Sequence, residues 1–100
     1  MMHVVALELE RPFVNSEAIE RWLENNSVER FELLPRLWIM EAALGAAQIR
    51  QGLEPLLGAK DRLAVIKTAH EAATRGFHGA AAEWMARAFP DSMTERIPGN

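Results

Sequence analysis

The stretch on which the predicted fold depends runs from Leu37 to Ile49 and reads LWIMEAALGAAQI. Within it only Glu41 and Gln48 are polar. A helix that is apolar almost all round has to be buried on most of its sides. About thirteen residues are too few to cross a hydrocarbon layer of roughly 30 Å. We therefore predict a long apolar central helix that begins near Glu32, passes through Pro35 in its first turn, and forms a core, a dimer interface or both.

On the N-terminal side, residues Met2 to Leu9 combine β-branched valines with alternating character, which predicts one β-strand. Pro12 stops regular pairing because it has no backbone donor. A short helix is predicted next, capped by Asn15 or Ser16 and broken at Asn25-Asn26. A single strand cannot satisfy its own backbone groups, so we expect it to pair with a second copy or with a partner protein.

On the C-terminal side, Gly58 closes a break of several residues, and Asp61 can cap a third helix that ends at Gly76. A last helix stops at Pro90. Its apolar side is formed by Phe77, Ala81, Trp84, Met85, Ala88 and Phe89.

These elements predict a mainly α fold. Residues 1–90 are expected to form a single helical domain of about four helices, with one N-terminal β-strand, a long apolar central helix and a C-terminal helical hairpin. Residues 91–100 are expected to form a loose polar tail.

Small residues recur along the predicted hairpin, residues 63–89, at Ala69, Gly76, Ala81 and Ala88. This spacing resembles that of the tetratricopeptide repeat, and the resemblance implies close packing of two helices without implying a function. The early aromatic residue and the proline of that repeat have no counterpart here. Read instead as a helix-turn-helix, the segment offers Arg87 to DNA on its second helix, which makes DNA binding through residues 63–89 an alternative.

Composition limits the classes of partner. The net charge is −3, with eleven Lys and Arg among fourteen Asp and Glu, so we expect no general attraction to nucleic acid or to an anionic membrane. Cysteine is absent, which removes disulfides, thiolate metal sites and cysteine nucleophiles. The first residues lack the pattern of a secretion signal, so a cytoplasmic location is predicted.

No chemical motif in the sequence is complete. His70-Glu71 begins like the helical zinc-protease motif, but Thr74 occupies the position of its second histidine, and His78 lies beyond Gly76. The chain has no glycine-rich phosphate loop followed by Lys-Ser or Lys-Thr. We therefore predict that the protein is not an enzyme, with no catalytic, metal-binding or cofactor-binding residues and no cofactor.

Three Trp and four Phe are a large apolar load for one hundred residues, and surplus apolar surface is typical of protein interfaces. We predict a non-catalytic regulator, inhibitor or adaptor that occupies an apolar surface on a partner protein, for example an anti-activator of a transcription factor or a chaperone. A homodimer is expected, formed by pairing Val4 to Leu9 or by packing the Leu37 to Ile49 helices. An accessory subunit of an enzyme is a further alternative. The predicted interface comprises Val5, Leu7, Leu9, Leu37, Trp38, Met40, Leu44, Gly45 and Gln48.

Overall fold

The structure is a computed structural model that describes residues 1–11, 14–69, 71–90 and 93–94. The chain forms two compact units, Met1–Thr68 and Ala69–Asn100. The predicted single domain over residues 1–90 therefore contains the boundary between two units.

The first unit is built on a four-stranded sheet. Its elements are β1 Met2–Glu8, α1 Ser16–Asn26, β2 Glu29–Leu34, β3 Leu37–Glu41, α2 Ala46–Leu53, a 3₁₀ turn Glu54–Leu56 and β4 Arg62–Lys67. The strand order is β2-β3-β1-β4, and all neighbours are antiparallel. This chain order and strand order are those of the ferredoxin-like split βαβ arrangement.

Both helices of this unit pack on one face of the sheet. From the helices, Ile19, Leu23, Ile49 and Leu53 enter the core. They meet alternate residues of the strands, since successive side chains of a strand point to opposite faces. The strand residues of this core are Val5, Leu7, Trp38 and Met40. We call the face that carries them the covered sheet face.

The prediction of a mainly α fold with a long apolar central helix is wrong, because the chain is α+β. Residues Leu37–Glu41 form β3, and helix α2 begins only at Ala46. Strand β3 lies inside the sheet, and Trp38, Ile39 and Met40 are all buried although they point to alternating faces. A strand apolar on both faces has the same hydrophobic pattern as a helix buried on all sides, so periodicity could not separate them.

A tight hairpin joins β2 to β3 where the central helix was expected to begin. Pro35 fixes its own φ, and Arg36 adopts a positive φ of 56°. The Glu32 carboxylate accepts a hydrogen bond from the Arg36 backbone nitrogen at 2.7 Å. Pro35 is therefore a turn residue between strands.

The prediction of one isolated strand is also wrong. Strand β1 exists where it was expected, but it pairs with β3 on one side, with Val5 opposite Trp38, and with β4 on the other, with Val5 opposite Val65. Its backbone is satisfied within the unit. A second copy therefore has no free edge of β1 to pair with, and the proposed pairing of Val4 to Leu9 between chains is overturned.

The helical hairpin over residues 63–89 is not formed. Its first half is strand β4, Arg62–Lys67, in which Leu63 and Val65 point toward the helices. Spacing by two and β-branched residues favoured this strand, and the alanines further along the chain masked that pattern. The tetratricopeptide-like and helix-turn-helix geometries are overturned with it. Asp61, expected as a helix cap, lies in the turn before β4.

The second unit contains the strand pair β5 Ala73–Thr74 and β6 Met93–Thr94, which run parallel, and helix α3 Gly79–Ala88. Gly76 adopts a positive φ of 84°, as its predicted place in a turn requires. The predicted helix after Asn15 is confirmed as α1, although it includes Asn25 and Asn26 and the Asn15 side chain forms no cap hydrogen bond. The predicted last helix is confirmed as α3, which ends before Pro90 but begins at Gly79, after Phe77. The predicted tail, 91–100, falls almost wholly outside the described residues.

Candidate functional site

The candidate site is the face of the sheet opposite the covered one, which we call the outer sheet face. In the described part of the first unit, no helix packs on it. Two rows of residues cross its middle. The first runs Phe31, Ile39, Val4, Ile66, with Ile39 opposite both Phe31 and Val4, and Val4 opposite Ile66.

The second row of the outer sheet face contains Leu34, Leu37, Ala6 and Ala64 in register. The two rows are apolar across all four strands. Burial is graded: Ile39 is 5% exposed, whereas Ile66 at the β4 edge is 57% exposed and Leu34 at the β2 edge is 49% exposed. Exposure therefore increases from the centre of this face to its edges.

Charged residues lie at the two ends of the outer sheet face. At one end the Arg62 guanidinium contacts the Glu8 carboxylate, with 2.6 Å between Nη2 and Oε1. At the other end Glu29 is opposite Glu41, whose carboxylate pairs with the amino group of Met1. The face is apolar in its middle and charged at its ends, the usual distribution of a protein-binding patch with a polar rim.

The structure separates the nine residues of the predicted interface. Leu37 lies on the outer sheet face and is half-buried. Four others point to the covered sheet face and are at most 8% exposed: Val5, Leu7, Trp38 and Met40. Leu9 and Leu44 pack against that core.

Gly45 and Gln48 have a local structural role at the start of α2. Gly45 is the N-cap residue, and its backbone nitrogen donates a hydrogen bond to the Gln48 side-chain oxygen at 2.8 Å. This contact satisfies a backbone donor at the start of the helix. It accounts for both residues without a partner protein.

Sequence reasoning missed most of the outer sheet face, including Val4, Ala6, Phe31, Ile39 and Ile66. The sequence carried a weak signal in the β-branched run Val65-Ile66, because adjacent apolar residues on a strand point to opposite faces. That signal becomes readable only once the segment is known to be a strand.

A buried histidine lies on the covered sheet face. His3 is 0% exposed, opposite Met40 on β3 and Lys67 on β4. Among the described residues, neither of its ring nitrogens has a hydrogen-bond partner. Burial is the main cause that lowers the pKa of His3, and the positive charges of the Met1 amine and Lys67 lower it further, whereas the Met1 backbone and Glu41 act to raise it.

A cleft of about 350 Å³ lies between the end of β1 and the turn before β4. In its wall, Asp61 accepts hydrogen bonds from the backbone nitrogens of Glu10 at 2.8 Å and Gly58 at 2.7 Å. These two bonds hold the pKa of Asp61 below its ordinary value. Asn15 donates to the Leu56 carbonyl at 2.7 Å. These polar groups of the cleft wall hold the loops together.

The described residues contain no group of three or more His, Asp or Glu residues placed to hold a metal ion. His70, the first residue of the incomplete zinc-protease motif, lies outside the described residues. His78 immediately precedes α3 and is exposed.

Over the part of the chain that the structure describes, none of the helices has both the length and the apolar character needed to cross a bilayer. No known family model, curated protein or solved structure matches this chain.

Proposed function

We propose that this chain is a non-catalytic regulator, inhibitor or adaptor that binds a partner protein through the outer sheet face. The observation that carries the proposal is the pair of apolar rows across all four strands, on the face opposite α1 and α2. Strand β1 is paired on both sides and Leu37–Glu41 is a strand, so neither an unpaired strand nor an apolar helix supports a partner. The proposal rests on the strand register and on the 57% exposure of Ile66.

The side chains of this face favour a protein over a nucleic acid as the partner. A sheet that binds single-stranded nucleic acid uses several aromatic residues for stacking and basic residues for the phosphates. The two middle rows here hold one aromatic residue, Phe31, and no Lys or Arg. An aliphatic face of this kind is complementary to another apolar protein surface.

A second copy of the chain is the partner to test first. A two-fold axis in the plane of the face and perpendicular to the strands would place each end of the sheet over the opposite end of the copy. With that axis between the two apolar rows, each row of one chain would lie over the other row of its copy, and the exposed Ile66 of each chain would be covered.

The test is sedimentation equilibrium from low to high micromolar concentration with the wild type, Ile66→Glu and Val28→Glu. Val28 is 82% exposed and lies outside the strands, so its variant adds the same charge away from the face. We expect the wild type and Val28→Glu to associate equally and Ile66→Glu to associate more weakly. Equal association of all three proteins would contradict the proposed surface.

A monomeric wild type would exclude the second copy and leave a different protein as the partner. Co-purification with the wild type and both variants then tests whether a different protein binds the outer sheet face. A partner of the outer sheet face must be retained by Val28→Glu and lost with Ile66→Glu. Binding that weakens steeply with salt would point instead to a polyanion and overturn the proposal.

A further inference from the structure

Beyond the proposed binding face, the covered sheet face contains a polar residue that the core does not need. The row Arg30, Met40, His3, Lys67 crosses the sheet in register near the start of β1. His3 lies inside this row and is 0% exposed. Both ring nitrogens lack a hydrogen-bond partner among the described residues, although buried polar groups normally have one.

The charges around His3 are unfavourable for a second proton on the ring. The amino group of Met1 lies at the start of the same strand, Lys67 faces His3 from β4, and Glu41 lies at the end of β3. Glu41 already pairs with the Met1 amine. A protonated ring would therefore lie near two cations, and the one nearby carboxylate is shared with Met1.

Charged residues of the other packed elements pair away from His3. On β2, Arg30 contacts Glu20 and Glu24 of α1, at 3.3 and 3.9 Å. The one charged residue of α2 is Arg50, and its guanidinium contacts Glu54 at 3.2 Å. The groups that favour a charged ring are the Met1 backbone and Glu41, and they do not outweigh burial and the two cations, so a buried imidazolium is poorly compensated.

Backbone hydrogen bonds flank His3 and fasten the start of β1 to its neighbours. The Met1 carbonyl accepts from the Ala42 nitrogen at 2.9 Å. The Met2 carbonyl accepts from the Thr68 nitrogen at 2.9 Å and from the Thr68 hydroxyl at 3.1 Å. Thr68 is the last residue of the first unit.

We propose that His3 is an acid-sensitive lock on this end of the sheet, and that its protonation releases the first residues of β1 from Ala42 and Thr68. An imidazolium needs water or an acceptor for each of its two N–H groups. Opening this end of β1 breaks the hydrogen bonds of Met1 and Met2 to Ala42 and Thr68, and it exposes the ring at a smaller loss of contacts than unfolding the unit. Release of Thr68 loosens the point at which the chain leaves the first unit.

The direction of the pH effect follows from linkage. The pKa of His3 is lowered in the closed state, whereas an exposed histidine titrates near 6.5. The open state therefore binds more protons, and opening becomes more favourable as the pH falls below the exposed value. The opening equilibrium rises by up to about tenfold per pH unit, until the pH reaches the closed-state pKa.

The experiment is amide hydrogen exchange by NMR on the full chain beginning at Met1, with any tag at the C-terminus. Protection factors, corrected for the pH dependence of intrinsic exchange, are compared between about pH 7.5 and 5.5. The reference amides are Ile19 and Ile49, which donate to Asn15 and Gly45 at the helix starts. We expect protection of Ala42 and Thr68 to fall with acid by up to about tenfold per unit, and more than at the references.

His3→Leu replaces the titrating ring with an apolar side chain of similar size. In this variant, protection of Ala42 and Thr68 should fall with acid no more than protection of the reference amides, so the differential fall is abolished. His78→Gln removes an exposed histidine and should leave it unchanged. An equal fall at all four amides, or the same differential fall in His3→Leu, would overturn the lock. If His3→Leu does not fold, the NMR titration of the wild-type ring still decides, because a pKa at or above 6.5 contradicts the proposal.

Discussion

The two faces of the four-stranded sheet are built from alternate residues of the same strands, yet they differ in what covers them. On the covered face, Val5, Trp38 and Met40 are at most 4% exposed beneath α1 and α2. On the outer face the apolar rows continue to Ile66, which is 57% exposed. Because β1, β3 and β4 carry apolar residues on both sides, strand composition does not reveal which face carries the helices.

The largest loss of stability on substitution is expected at the centre of the covered sheet face. Met40→Ala should lower the free energy of unfolding by about 2–5 kcal/mol, because Met40 is 0% exposed and its removal leaves a cavity. Ile66→Ala removes a side chain of similar size from the outer face and should cost less than about 1 kcal/mol. Urea unfolding of both variants measures the difference. Equal losses would show that the two faces are equally covered.

A second prediction concerns the helix layer that makes the covered face different. A Cβ atom at Gly52 of α2 would overlap the Trp22 ring of α1. Gly52→Ala should therefore cost about 1–3 kcal/mol, although alanine usually favours a helix. The double variant Gly52→Ala/Trp22→Leu should cost less than the sum of the two single changes, as a double-mutant cycle would show. Strict additivity would place the two residues out of contact.

A third prediction concerns the pH dependence of stability that comes from Asp61, in the turn before β4. The pKa of Asp61 is lowered by hydrogen bonds from the Glu10 and Gly58 backbone, so the folded state binds fewer protons than the unfolded state. The stabilisation that this difference in proton binding gives is fully present above pH 3.8, the ordinary pKa of the carboxyl group. It is lost as the pH falls through the lower pKa of Asp61 in the folded state.

Asp61→Asn removes that titration. Its unfolding midpoint should fall less than that of the wild type between about pH 5 and 2. Lys60→Gln changes the charge of the neighbouring residue and keeps both hydrogen bonds, so it should retain the wild-type slope. Identical slopes for the wild type and Asp61→Asn would contradict the role given to the two backbone bonds.

The smallest effect is expected at the charged end of the outer face. Glu8 and Arg62 are 68% and 77% exposed, so Glu8→Gln should cost less than about 1 kcal/mol, and less still in high salt. Thermal unfolding at two salt concentrations measures this. A salt-independent loss above that size would mean that this end of the face is buried in an assembly.

The sequence predicted an element correctly where residues at or next to its ends mark those ends. The helix from Ser16 begins next to Asn15 and ends at the Asn25-Asn26 pair, and the last helix ends before Pro90. Strand β1 was predicted from its valines. Such signals act within a few residues, so the chain encodes them without reference to distant segments.

The candidate site could not be predicted in the same way. Leu37 belongs to it and was named from the sequence, whereas Val5, Trp38 and Met40 were named with it and lie in the core. The error arose because an interior strand buries both of its faces. Whether a given apolar side chain points to the helices depends on register, which the sequence of one strand does not contain.

The sequence by itself determined that α1 follows Asn15 and that α3 ends before Pro90, that Met2–Glu8 is extended, and that the chain carries a small negative charge. Tertiary structure alone decided that Leu37–Glu41 is a strand and Ala46–Leu53 a helix, and that His3 lies beneath the helices while Val4 lies on the opposite face. The physical reason is that caps and turns are short-range, whereas the choice between strand and helix for an apolar run depends on distant backbone partners.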